Sequence, residues 1–224
     1  HLISGLFFGL VIAVALYNLF IFMATKSISY IHYVLYVFFF GILLFIIQGH
    51  AQRFLAPDST WIGKEGTFFF TGLAGLFLCF FTMSYLRLKK ENSKIYQGMK
   101  LLCLMLFLVT IFSLIIPHSY NLMLIRFIIL FGGPFVFFCA IYRVKMNYRP
   151  AKYYLLAFSF MIGGIITYIL MSMGLLPSVL FTQKAVILGT ALQLTLLSMG
   201  LADRFNLVQE EALKSEKKVA ELLE

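Results

Sequence analysis

The sequence predicts an all-α polytopic membrane protein: a seven-transmembrane helix bundle with a C-terminal cytoplasmic helix. Three observations carry that fold class. Seven apolar stretches, each long enough to cross a bilayer, use up most of the 224 residues. Hydrophobic residues make up 62% of the chain and charged residues 12%, with a mean hydropathy of +0.95. A water-soluble domain of this size could not cover itself with so little polar surface. Finally, Lys and Arg collect between alternate pairs of apolar stretches, as in a chain that crosses a membrane repeatedly.

A hydrocarbon core about 30 Å thick needs about 20 helical residues. Only helices and closed barrels satisfy the backbone in lipid, and segments this long and continuous are helices. The expected spans are residues 2–25, 30–48, 66–86, 98–116, 122–142, 152–174 and 183–203. Arg87, Lys89, Lys90 and Lys94 lie between spans three and four, and Arg143, Lys145 and Arg149 between five and six. The connections after spans four and six carry no Lys or Arg, and that after span two only Arg53 and Lys64. Lys26 alone follows span one. The positive-inside bias therefore places the N-terminus outside and the C-terminus in the cytoplasm. A net charge of +9 could also suggest nucleic acid, but these cations sit at segment ends rather than on one continuous basic face.

The composition changes abruptly near Arg204, dividing the chain into a membrane domain, residues 1–203, and a cytoplasmic helix, residues 204–224. The second part holds five Glu, three Lys and one Arg with no Pro or Gly, so it reads as a helix. Leu201, Phe205, Val208, Ala212, Ser215, Val219 and Leu222 follow a 4-3-4-3-4-3 spacing, a heptad seam running directly out of span seven. The seam is weak, because Ala212 and Ser215 bury little. It fits either the root of a dimeric coiled coil or an amphipathic stub lying on its own bundle. Because the chain opens at His1 without Met and closes inside a helical pattern, it is expected to be a piece of something longer, with no signal peptide visible.

Reactive groups are scarce in the apolar spans. No Asp or Glu lies mid-membrane, so a carboxylate proton relay lacks its parts. Lys184 sits at the end of span seven, not midway along it as a retinal Schiff base would require. His1, His32, His50 and His118 show no paired spacing on a helix face, so no metal site is expected. Cys79, Cys103 and Cys139 fall inside apolar segments and read as small packing residues. No catalytic residue and no cofactor is expected. Asn18 in span one and Gln193 in span seven are intramembrane amides able to bridge helices, at about 0.6–2 kcal/mol each. Arg126 near the outer end of span five either snorkels to the headgroups or meets an anion in an outer-facing pocket.

Small residues mark candidate packing faces. Gly5, Gly9 and Ala13 form a small-xxx-small row on span one, extended by Tyr17; Ala185 and Gly189 form another on span seven and lead to Gln193. Gly132-Gly133-Pro134 is expected to interrupt and kink span five, and Gly163-Gly164 to soften span six.

These residues resemble a known family, the bacterial seven-transmembrane receptors with diverse intracellular signalling modules. The matching blocks are Gly5-x-x-x-Gly9 with Tyr17-Asn18-Leu19-Phe20, Tyr30 with Tyr33 and Tyr36 followed by Gly49, and Leu188-Gly189 through Gln193 to Asp203-Arg204. The resemblance covers essentially the whole chain in order and spacing. It implies a receptor transmembrane region with a periplasmic ligand-binding domain before His1 and an output module after Glu224, such as a kinase, cyclase or phosphatase. It supplies a role and no catalytic residues. The expected partners are then membrane lipid, those two flanking domains and a second copy through the C-terminal helix, in the inner (plasma) membrane. The alternative is a channel or transporter, which requires inverted repeats and matched broken helices.

Overall fold

A computed structural model describes residues 2–55, 57–88, 93–116 and 118–223. Its helices are α1 (Leu2–Thr25), α2 (Ile28–Ile47), α3 (His50–Phe54), α4 (Thr60–Gly63), α5 (Glu65–Tyr85), α6 (Ser93–Phe112), α7 (His118–Lys145), α8 (Pro150–Ser172), α9 (Leu180–Gln183) and α10 (Ala185–Leu223). Among the described residues there is no strand, and seven helices are long and apolar enough to cross a membrane. The chain divides into two compact units, His1–Tyr142 and Arg143–Glu224.

In the first unit α2 packs against both α1 and α5, and α5 against α6. The buried face of α1 is Ser4, Phe7, Val11, Val14 and Asn18, a helical stripe, while Leu6, Ile12, Leu16 and Phe20 are exposed. On α2, Tyr33 is fully buried with its ring 5.2 Å from Phe81, which lies 5.0 Å from Tyr85. Phe39 stacks on Phe77 at 5.2 Å. Offset and tilted ring pairs of this kind add specific contact energy where lipid-facing surface gives helices no hydrophobic reason to associate. Phe68, Val109 and Ile125 form a buried cluster joining α5, α6 and α7. The three cysteines are buried and free, as the sequence led us to expect.

Spans four and five shift at both ends. The fourth span begins at Ser93 rather than 98 and ends at Phe112, where the Ser113 hydroxyl donates to the Thr110 carbonyl at 2.7 Å. Span five is longer than expected and is not interrupted: α7 runs from His118 through Pro134 to Lys145. The expected break at Gly132-Gly133-Pro134 is thus corrected. Proline removes one N–H, leaving only the Leu130 carbonyl without its usual donor, and its fixed φ suits a helix.

In the second unit α8 packs along α10. The two are joined through Gly174, whose left-handed φ of +77° ends α8, and through Thr182, whose hydroxyl accepts from Val179 N at 3.1 Å and donates to the Pro177 carbonyl at 2.7 Å. Gly164 on α8 and Gly189 on α10 meet face to face. A methyl group at Gly189 would lie 2.5 Å from the Phe160 carbonyl oxygen and 3.4 Å from the Gly164 Cα. Only glycine lets the two backbones come this close. At 39 residues, α10 is about 58 Å long, nearly twice the hydrocarbon thickness.

Candidate functional site

The candidate relay site is the face of α10 that begins at its crossing with α8. Ala185 and Gly189 sit at the crossing, and Thr190, Gln193, Leu194, Leu197 and Leu201 follow at intervals of three and four residues, all buried. Gln193 lies on this stripe, fully buried, so an amide among leucines is set into the helix face where the sequence placed it. The stripe ends at Asp203, whose Oδ1 is 3.2 Å from Nη2 of Arg149, the N-cap residue of α8. Asp203 is 14% exposed and Arg149 67%. The second carboxylate oxygen of Asp203 and Nε of Arg204 are buried without a hydrogen-bond partner. The polar end of the stripe is therefore held by one ion pair.

Beyond Arg204 the same helix continues unbroken but changes surroundings. Leu201 is fully buried, Phe205 partly buried, and Val208 41% exposed. Ala212 and Ser215 are exposed as well, and the side chains of Val219 and Leu222 lie outside the described part. Residues 206–217 are exposed except for a partly buried Leu207. The domain boundary expected at 203/204 falls inside a continuous helix.

The remaining candidates separate. Asn18 is buried on α1, its Nδ2 donating to the Val14 carbonyl one turn back at 2.8 Å. Gly5, Gly9 and Tyr17 are exposed, and a methyl group at either glycine would meet nothing within 4 Å. Among the described residues of the first unit, the stripe from Ser4 to Asn18 is buried and the span-one row is not. The reason is that small residues permit a close approach but supply no partner. Arg126 is exposed on α7, along a shallow groove lined by Ser119, Leu122, Met123, Phe127 and Leu130. Every described lining residue belongs to that one helix, so what is described is a surface furrow and not an enclosed anion pocket. Among the described residues no group of His, Cys, Asp and Glu is arranged to hold a metal. Sequence reasoning missed Arg149 as the partner of Asp203, although the opposite charges at the same expected membrane face were visible.

A family model described as 7TM diverse intracellular signalling matches residues 1–204. The chain belongs to that family. As a 7TM diverse intracellular signalling protein, it is a multi-pass membrane protein and the transmembrane region of a signalling receptor. The match ends at Arg204, beside Asp203, where burial on α10 gives way to exposure. No curated protein and no solved structure matches the chain.

Proposed function

We propose that this chain carries a stimulus from a periplasmic domain preceding His1 to a cytoplasmic output module following Glu224, across the inner membrane of a bacterium. The N-terminus lies outside and the C-terminus inside. The bundle has no enzymatic activity and no cofactor of its own, and it works as a dimer joined through the coiled-coil start of α10. One observation supports this reading above the rest: α10 is a single helix from Ala185 to Leu223, half of it in the packed stripe and half exposed. A continuous helix transmits rotation, translation or a change of register, which a flexible linker would absorb. A stimulus has only to shift two states by a few kcal/mol, and a seam weakened by Ala212 and Ser215 keeps such states close in energy.

The unbroken course of α7 through Pro134 also removes the one discontinuity that a transporter reading would have used. The test is an insertion series of one to four residues after Gln209 in the full-length receptor, reading output activity. Output is expected to vary with helical phase, falling at two residues and recovering near four. A flat response would overturn the rigid relay.

A further inference from the structure

A second site stands in the first unit, at the ends of α1 and α2. Gly5 and Phe8 of α1, Phe45 of α2, and His50, Arg53 and Phe54 of α3 line a groove of about 360 Å³. Its wall is aromatic around one imidazole: the His50 ring lies 5.7 Å from Phe8, 5.4 Å from Phe45 and 6.1 Å from Phe54, and Phe8 and Phe45 are 5.3 Å apart. One end is cationic. The Arg53 guanidinium is held 5.3 Å over the Phe54 ring, and among the described residues no carboxylate lines the groove. Ser4, also in the lining, donates to Gln48 Oε1 at 3.2 Å, while Gln48 Nε2 is buried with no acceptor.

We infer that this groove binds a single-chain amphiphilic carboxylate, with its chain against Phe8 and Phe45 and its carboxylate on Arg53. The volume is near the lower end of small-ligand sites, which run about 300–1,000 Å³, a size that suits a single chain. The planar guanidinium fork matches a carboxylate in two parallel hydrogen bonds, and the ring beneath it fixes its orientation. The groove opens beside Phe54 and Leu55, both more than 60% exposed, at the end of two apolar spans. A ligand dissolved in the membrane therefore enters chain first. Gly5 lines the groove, and a methyl group there would meet nothing within 4 Å. The site stands whether or not α10 relays a signal.

The test uses the full chain in phosphatidylcholine nanodiscs with dodecanoate bearing a terminal diazirine. Saturable photolabelling is expected on peptides containing Phe8 and Phe45. Arg53→Gln is expected to weaken it about tenfold, as for loss of a charge-assisted hydrogen bond, and to leave labelling by the methyl ester unchanged. Gly5→Leu, whose Cβ would meet nothing within 4 Å and whose side chain suits a helix, is expected to abolish labelling by both. Free dodecanoate should compete and phosphatidylglycerol should not. Labelling spread evenly over the lipid-facing helices, an unaltered Arg53→Gln protein, or competition by phosphatidylglycerol would each overturn the site.

Discussion

Arg149 Nη2 stands 3.2 Å from Asp203 Oδ1, tying the N-cap of α8 to α10 at the level where burial of α10 ends. The pair sits at the junction between the packed stripe and the exposed part of the helix, away from Gly189 and Gln193. Because Arg149 is largely in solvent, the pair contributes no more than about 1 kcal/mol. That suffices to bias a balanced pair of states. Arg149→Ala is expected to change basal output up to about fivefold, and more than Asp203→Ala, since it strands a mostly buried carboxylate. The double variant Arg149→Asp with Asp203→Arg should restore output. A swap no better than its single variants would remove the ion pair from the mechanism.

The two adjacent glycines of α8 should respond oppositely to the same change. Gly164 faces Gly189 across the crossing, whereas a methyl group at Gly163 would meet nothing within 4 Å. Gly164→Ala is expected to force α8 from α10 and cost about 1–3 kcal/mol. Gly163→Ala should be neutral or stabilising by up to about 1 kcal/mol, as alanine is the better helix former. Denaturant titration of the purified protein in detergent micelles would measure both. Equal destabilisation by the two would contradict the close crossing.

Most of the fold was legible because lipid leaves so few solutions. Span count and position follow from uninterrupted apolar runs, whereas helix ends do not: α7 runs past its apolar stretch at both ends, and α6 starts before its own and stops short of Leu114 to Ile116. The sites were less legible. Gly5-Gly9 and Ala185-Gly189 look alike as rows, yet in the described part of its own unit the second meets a neighbouring helix and the first does not, since spacing records where close approach is allowed and not what approaches. Gly163-Gly164 could not be resolved into an open and a packed glycine without the α10 face. Arg149 and Asp203 are far apart in sequence, and each was explained by its place at a span end before the ion pair joined them. The groove at Arg53 was invisible because its residues come from α1, α2 and α3, a helix that apolar patterning does not reveal.

Orientation can be read by thiol labelling, because Cys79, Cys103 and Cys139 are buried and add little background. A cysteine replacing exposed Leu175, in the turn after α8, should react with a membrane-impermeant maleimide in intact cells. One replacing exposed Lys217 on α10 should react only after permeabilisation. Reaction of both from the same side would be incompatible with a single span, α10, between them, and with an outside-to-inside relay.

The seam on α10 makes a register-specific claim about dimerisation. Val208, Ala212 and Ser215 share one edge of the exposed helix, while Glu210 lies well off it. Apolar surface on that edge, 41% exposed at Val208, is what a second copy would cover. In membranes holding the full-length receptor, Val208→Cys and Ser215→Cys are expected to form disulfide-linked dimers under mild oxidation, and Glu210→Cys much less. The contrast between positions carries the argument: random collision in the membrane would cross-link all three alike, whereas a parallel seam brings paired a and d residues to within disulfide reach and holds Glu210 away. Uniform cross-linking, or none at the seam, would leave α10 as a relay without a dimer partner. The phase dependence of insertions after Gln209 would then have to arise within one chain.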